Sequence, residues 1–143
     1  MTTLREVMAA SVFQALKDVP TLQGKGLAFS RSLFEALDMR GKKGVLVVHH
    51  GQEQLGAEST ASVDRHTELL VTLVTRDADP GSVSEAVLEL VHPVVMAFTH
   101  PALIDLGELG SDAPSYDNLG GNVSARTIHY DLFYRTSRDS LSA

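Results

Sequence analysis

The chain has 143 residues, of which 43% are hydrophobic, and it carries a net charge of −6 with no cysteine. This length and apolar content suit one domain with a single core. The absence of cysteine excludes disulfides, thiol nucleophiles and cysteine-based zinc sites, and it favours a reducing, cytoplasmic compartment. The acidic balance opposes DNA binding, which requires basic residues to replace phosphate counterions.

The N-terminal segment is expected to form a helix. Thr3 and Glu6 have the spacing of a capping box, and apolar residues from Leu4 to Leu16 recur on one helical face. Pro20 should end the helix. The polar face of this helix carries both signs of charge, unlike the basic face that membranes select. No segment of the chain approaches the ~20 apolar residues of a membrane span. We therefore expect packing against a sheet and neither a signal peptide nor membrane insertion.

Residues 21–43 have weaker periodicity and several glycines. We expect extended or looping backbone there, with a short helical turn at Ser32–Leu37. The segment Gly24-Lys25-Gly26 lacks the Ser or Thr that follows the lysine in a phosphate-binding loop, and it lacks the third glycine of a dinucleotide motif. No nucleotide site is predicted from it.

Two apolar segments, Val45–Val48 and Glu68–Thr75, are predicted to be strands, because they are rich in Val, Leu and Thr. The intervening residues 52–62 are polar and contain Gly56. The sequence therefore predicts a hairpin whose tip is a long, mobile loop rather than a tight turn. Loops of this length often bind a partner.

A second helix is predicted after Asp79-Pro80-Gly81. Ser82 and Glu85 repeat the capping-box spacing, and a wide apolar stripe extends from Val83 to Phe98. Pro93 has no amide hydrogen and clashes with the preceding turn, so we expect a kink or a break at Leu90–His92.

The last third of the chain is predicted to be a strand, a long loop and a second strand. Glycines and acidic residues punctuate 106–122, and 122–134 then alternates in polarity. Ile128, Tyr130, Leu132 and Tyr134 should share the buried face, opposite a mixed face with Thr127, His129, Asp131 and Phe133. Residues 135–143 are expected to be a flexible tail. These elements predict one α/β (α+β) domain over 1–143, with a mixed, mainly antiparallel sheet and two main helices packed against it.

The histidines raise the possibility of a metal site, because four of the six, His49, His50, His66 and His129, fall on or beside predicted strands, and Asp131 lies two residues after His129. Their spacing matches no ligand motif, and adjacent strand residues point to opposite faces. No Gly-x-Ser-x-Gly elbow is present either. We therefore expect no catalytic residue, no metal and no cofactor, and a protein that is not an enzyme.

The order of these elements resembles that of a known family. A Pro-interrupted helix with His92-Pro93-Val94 is followed by Pro101-Ala102-Leu103-Ile104-Asp105-Leu106, an Asp-containing loop with Tyr116-Asp117, and a terminal strand with Tyr130 and Tyr134. This pattern is similar to the tail terminator proteins of long-tailed bacteriophages, the minor tail protein U type. The resemblance covers most of the chain, and its motifs consist of packing and turn residues.

The resemblance implies a structural protein of the phage or prophage tail. Such a chain is one subunit of a hexameric ring that caps the tail tube, ends its polymerisation and presents a surface for the head. Expected partners are further copies of the chain, the tail tube protein and a head-completion or connector protein, with no membrane and no sequence-specific nucleic acid. Assembly would take place in the host cytoplasm and leave the protein in the virion tail.

The two polar loops and the terminal strand are then the candidate contacts with the tube and with neighbouring subunits. The candidate interface residues are Gln52, Glu53, Gln54, Glu58, Asp112, Tyr116, Asp117, Asn118, Arg126, His129, Asp131 and Phe133. Two alternatives remain open. A head–tail connector would share the size and the ring assembly, and a small metal-dependent enzyme would require His49 or His50 to converge with His66, His129 and Asp131.

Overall fold

The computed structural model describes residues 2–38, 44–76, 80–117 and 123–143. Within these ranges the helices are α1 (Leu4–Lys17), α2 (Pro20–Gln23), α3 (Leu33–Asp38) and α4 (Pro80–Met96). The strands are β1 (Ala28–Ser30), β2 (Gly44–Glu58), β3 (Ser62–Arg76), β4 (Leu103–Ser111), β5 (Ser115–Asp117) and β6 (Val123–Ser137). The predicted α+β class is confirmed.

The strands form one mixed sheet in the order β1-β2-β3-β6-β4, and the short β5 pairs with β6 beside β4. Among the strands of the described residues, only the β1–β2 pair is parallel. β3 and β6 pair from Ser62 opposite Ser137 to Arg76 opposite Val123 without a shift in register. The long antiparallel pairs β2–β3 and β3–β6 therefore form the centre of the sheet.

α1 begins where its capping box predicts. The Thr3 side chain accepts a hydrogen bond from the Glu6 amide, which satisfies one free donor of the first turn. Arg31, just after β1, donates two hydrogen bonds to the Glu6 carboxylate and one to the Val48 carbonyl at 2.6 Å. One guanidinium thus holds α1 against β2.

The main core lies between one face of the sheet and the helices α1 and α4. As the alternation of β6 predicts, Ile128, Tyr130, Leu132 and Tyr134 are buried there. The helices contribute Met8, Ala9, Val12, Leu16, Val87, Leu88, Val91 and Val95, among others. A smaller cluster lies on the opposite face at one end of the sheet and consists of Ala36 of α3 with Val45, Val47, Val74 and Val123.

The prediction of a long loop at 52–62 is wrong. β2 continues to Glu58 and β3 begins at Ser62, and the turn between them is held by a hydrogen bond of 2.8 Å from the Ser59 amide to the Ser62 carbonyl. The sequence is polar here because this half of β2 is largely solvent-exposed. Backbone pairing with β3, rather than apolar side chains, makes it a strand.

Of the predicted kink or break near Leu90–His92, the break does not occur, because α4 continues through Pro93 to Met96. The helix begins at Pro80, two positions before the predicted cap at Ser82. A proline inside a helix costs about 3 kcal/mol. Val91 and Val95 are buried against the sheet on either side of Pro93, and this packing offsets the cost.

The C-terminal third contains more strand than the sequence predicts. β4 occupies Leu103–Ser111, and β5 interrupts the predicted 111–122 loop, whose residues 118–122 lie outside the described residues. The predicted tail begins too early, since β6 extends to Ser137. Beyond it, the Leu141 carbonyl accepts a hydrogen bond from the Leu4 amide at 2.9 Å, which joins the two ends of the chain.

Replacement of a buried leucine by alanine should weaken the fold much more than the same change at the sheet margin. Leu132 is fully buried, whereas Leu109 is 58% exposed. We expect Leu132→Ala to lower the free energy of unfolding by about 3 kcal/mol because it leaves a cavity between the sheet and the helices.

The matched control Leu109→Ala should change the free energy of unfolding by less than about 0.5 kcal/mol. Urea denaturation of both variants measures the difference. Equal losses would contradict the assignment of the core to this face of the sheet.

Candidate assembly surface

The face of the sheet opposite α1 and α4 carries a polar surface, here called the open face. We define it by six residues that neighbour one another on adjacent strands: Gln54, His66, Glu68, His129, Asp131 and Phe133. Two shallow hollows on this face are lined by Gln52, Gln54, His66, Glu68, Leu109 and Asp131, and by Glu68, Leu109, Gly110, Ser111, Asp112 and His129. Six of the twelve predicted interface residues belong to this face or its hollows: Gln52, Gln54, Asp112, His129, Asp131 and Phe133. Leu109, which lines both hollows, was not predicted.

His66 is fixed on the open face by two contacts with β6. Its Nδ1 atom lies 2.9 Å from Oδ2 of Asp131. Its ring stacks on Phe133 with centroids 4.5 Å apart and planes 3° from parallel. Both contacts join side chains on paired strands, so they reinforce the β3–β6 register.

His129 lies between two carboxylates. Its Nε2 atom is 3.0 Å from Asp112 and its Nδ1 atom is 3.4 Å from Glu68. The close contact with the Asp112 carboxylate raises the pKa of His129 above its ordinary value of 6.5; partial burial opposes this shift, and the charges of Asp112 and Glu68 add to it. The stabilisation from this pairing is fully present below pH 6.5 and is lost as the pH rises through the raised pKa.

Removal of the Asp112 charge should therefore lower the pKa of His129. In Asp112→Asn, the imidazolium loses its nearest carboxylate and keeps only Glu68. An NMR titration of the His129 ring protons measures the shift. Asp139→Asn, which neutralises an exposed carboxylate in the C-terminal segment, is the control and should leave the titration of His129 unchanged. An unaltered curve in Asp112→Asn would contradict the pairing.

Glu53, predicted as an interface residue, is instead part of the fold. Its side chain is 13% exposed, points toward α1, and lies 2.8 Å from Arg5 and 3.1 Å from Arg65. It also accepts hydrogen bonds from the hydroxyls of Thr67, at 2.6 Å, and Tyr134. The group joins α1, β2, β3 and β6.

The surroundings of Glu53 keep its carboxylate ionised. Burial alone would raise its pKa, but the hydrogen bonds from Thr67 and Tyr134 and the charge of Arg5 hold the pKa below the ordinary value of 4.5. Burial and the bond to Glu53 in turn raise the pKa of Tyr134 to about 12, so this hydroxyl stays protonated and can donate. The stabilisation by Glu53 is full above pH 4.5 and is lost as the pH falls through its lowered pKa.

We expect Glu53→Gln to lower the free energy of unfolding at pH 7 by about 3 kcal/mol, because it leaves two arginines without their shared counterion. The loss relative to the parent chain should shrink below pH 4.5, where the parent carboxylate also becomes neutral. Urea denaturation at several pH values measures this. Glu58→Gln, at an exposed position of the same strand, is the control and should change stability by less than about 0.5 kcal/mol. Equal effects in the two variants would contradict a structural role for Glu53.

The other predicted interface residues are dispersed. Glu58 is exposed at the end of β2, and Arg126 lies 3.5 Å from Glu85 of α4, away from the open face. Tyr116 and Asp117 belong to β5 and pair with Ser124 and Val123. Asn118 lies outside the described residues. The sequence thus identified the open face in part, through residues of β6 and the polar half of β2.

The arrangement of the histidines does not match the metal-site alternative. His66 pairs with Asp131, whereas His129 pairs with Asp112 and Glu68. His50 faces the other side of the sheet, where its Nε2 atom lies 3.1 Å from Glu6. Over the described ranges, no group of three or more potential ligands is placed to hold a metal ion.

Sequence reasoning missed the exposed apolar residues at the margins of the sheet. Leu55 in β2 is 56% exposed, and Ile104 and Leu109 in β4 are 51% and 58% exposed. Leu55 and Leu109 each stand alone among polar residues and glycines in the sequence, so periodicity gave no signal of a strand edge. In the part of the chain that the structure describes, no helix is long and apolar enough to cross a membrane.

No family model matches the sequence, and a search of curated proteins likewise gives no match. Among solved structures, the chain is similar to one described as belonging to the virion of a native gene transfer agent particle. The identity is 13% and the TM-score 0.59, and the match covers 92% of this chain and 95% of that chain. At this identity the likeness establishes a shared fold, which extends over nearly the whole of both chains.

Proposed function

We propose that this protein is a structural component of a phage-like tail, namely a subunit of a hexameric ring that caps the tail tube. The observation that carries the proposal is the fold shared, over nearly the full length of both chains, with a protein of a gene transfer agent virion. The tail-terminator pattern of the sequence supports the more specific role. The ring would end tube polymerisation and present the surface for head attachment.

The proposed mechanism is steric and needs no covalent chemistry. One side of the ring would complement the last ring of the tube, and the other side would lack the surface that recruits another tube subunit. A head-to-tail contact that closes after a fixed rotation generates such a ring. The net charge of −6 suits a channel through which DNA passes, because few basic residues are present to hold phosphates. The protein would assemble in the host cytoplasm and remain in the virion tail.

The open face is the proposed contact with the tube or with the head-completion protein. It offers carboxylates and imidazole rings that hold one another in place, since Asp131 and Glu68 lie beside His66 and His129. Side chains that are already held in place lose little entropy when a partner binds. Such a surface favours a specific partner over general adhesion.

The test is an elongation assay with purified tail tube protein. We expect the protein to bind at tube ends and to stop growth, because a capped end has no acceptor surface. Light scattering after size-exclusion chromatography gives the stoichiometry, and negative-stain microscopy gives tube lengths and the position of the ring. The variant Asp131→Lys, which reverses one charge of the open face, should bind tube ends more weakly than Asp139→Lys, its control in the C-terminal segment.

Unchanged tube lengths together with no binding at the ends would contradict the terminator role. Binding to heads but not to tube ends would favour the head–tail connector instead.

A further inference from the structure

The sheet has two open margins. β1 pairs with β2 only at residues 45–47, and Arg31 occupies the next carbonyl, that of Val48. From there to the hairpin, residues 49–58 pair with β3 on one side only; we call this segment the β2 edge. On the far side of the sheet, Leu103–Ser111 pairs with β6 alone and forms the β4 edge. Within the described ranges, no backbone hydrogen bond to another segment covers either edge.

The two edges lie at the same level of the sheet. Gln54 pairs with His66, which pairs in turn with Phe133. Phe133 pairs with Asp105 in the β4 edge. A second ladder crosses the four strands through His49, Leu70, His129 and Gly110. At the other end of the sheet, β1 covers β2 and β5 pairs with β6, so that the margins there are formed by two strands of only three residues.

The strand directions of the two edges are also complementary. Every pair from β2 through β3 and β6 to β4 is antiparallel, so β2 and β4 run in opposite directions. A second copy placed beside the first in the same orientation therefore presents its β2 edge antiparallel to the β4 edge of the first. Such an arrangement continues the alternation of strand directions from one copy into the next.

Apolar exposure is concentrated on the same two edges. Leu109, Leu55 and Ile104 are the most exposed large hydrophobic residues in the described part of the chain, at 58%, 56% and 51%. Leu55 lies in the β2 edge and the other two lie in the β4 edge. Neither segment contains the lysine or proline that commonly protects an edge strand from pairing.

We infer that the β4 edge of one copy of this chain pairs with the β2 edge of the next, so that the sheet continues from subunit to subunit. The pairing is heterologous, because two different edges meet, and repeated copies form a ring if the rotation closes. Both edges contain β-bulges, and Gly110 in the β4 edge has a φ of 143°. Bulges bend and twist a strand, as a closed array requires. The inference rests on the proposed function in that it supplies the subunit contact of the ring.

Cross-linking tests the pairing directly, and the absence of native cysteine makes the chain well suited to it. Leu55→Cys places a thiol on the β2 edge and Ile104→Cys places one on the β4 edge. An equimolar mixture of the two variants, treated with a short bis-maleimide, should give cross-linked dimers, whereas each variant alone should give none. The double variant should give a ladder that ends at the size of the closed ring.

Mass photometry of the same samples separates the two proposals. A ring that forms without cross-links would overturn the edge pairing and leave the proposed ring intact. Cross-linking within each single variant would show that two identical edges meet about a two-fold axis. That result would also overturn the pairing of the β4 edge with the β2 edge. No self-association at any concentration would contradict the edge pairing and the ring together.

A charge placed on one edge provides a second test. Ile104→Lys should raise the dissociation constant for self-association roughly tenfold, because lysine on an edge strand opposes pairing. Leu141→Lys, at a residue of similar exposure outside both edges, should leave this constant unchanged. Circular dichroism establishes that both variants are folded. Equal dissociation constants in the two variants would overturn the inference.

Discussion

The fold depends on the pairing of β3 with β6, which continues through fifteen residues on each strand without a shift in register. Because side chains alternate along paired strands, this register fixes the composition of both faces of the sheet. Ile128, Tyr130 and Leu132 face the helices, while His129 and Asp131 face away from them. A slip by one residue would place the histidines in the core and the leucines in solvent.

The Glu53 network extends this constraint to the rest of the chain. The largely buried Glu53 carboxylate pairs with Arg5 of α1 and Arg65 of β3. It also accepts a hydrogen bond from the hydroxyl of Tyr134 in β6. Buried ionic groups add little net stability over apolar packing, but they fix geometry, because any other arrangement leaves charges unpaired. Here the network holds the exposed half of β2 in line with β3. The β2 edge is therefore a strand paired with β3 and not the loop that its composition indicated.

The sequence predicted the elements in which local chemistry and burial agree. Thr3 caps α1, and the alternation from Ile128 to Tyr134 identifies the buried face of β6. Prediction failed where tertiary contacts override local preference. The packing of buried valines keeps α4 helical through Pro93. Pairing with β3 makes the polar half of β2 a strand, although its composition is typical of a loop.

The candidate site was predictable to a similar degree. The polar alternation of β6 indicated His129, Asp131 and Phe133, because these residues lie on one strand. Their partners His66 and Glu68 come from β3, and the register that joins the strands is not visible in composition. The edges were not predictable, because whether a strand is paired on one side or two depends on the order of strands in the sheet.

If copies of the chain pair through the β2 and β4 edges, assembly changes the sheet margins and leaves α1 and α4 as they are in the single chain. Hydrogen exchange of the free and the assembled protein, followed by mass spectrometry of peptides, tests this most directly. We expect slower amide exchange on assembly in residues 49–58 and 103–111, with little change in α1 and α4. Slower exchange confined to the helices, with both edges unchanged, would contradict it.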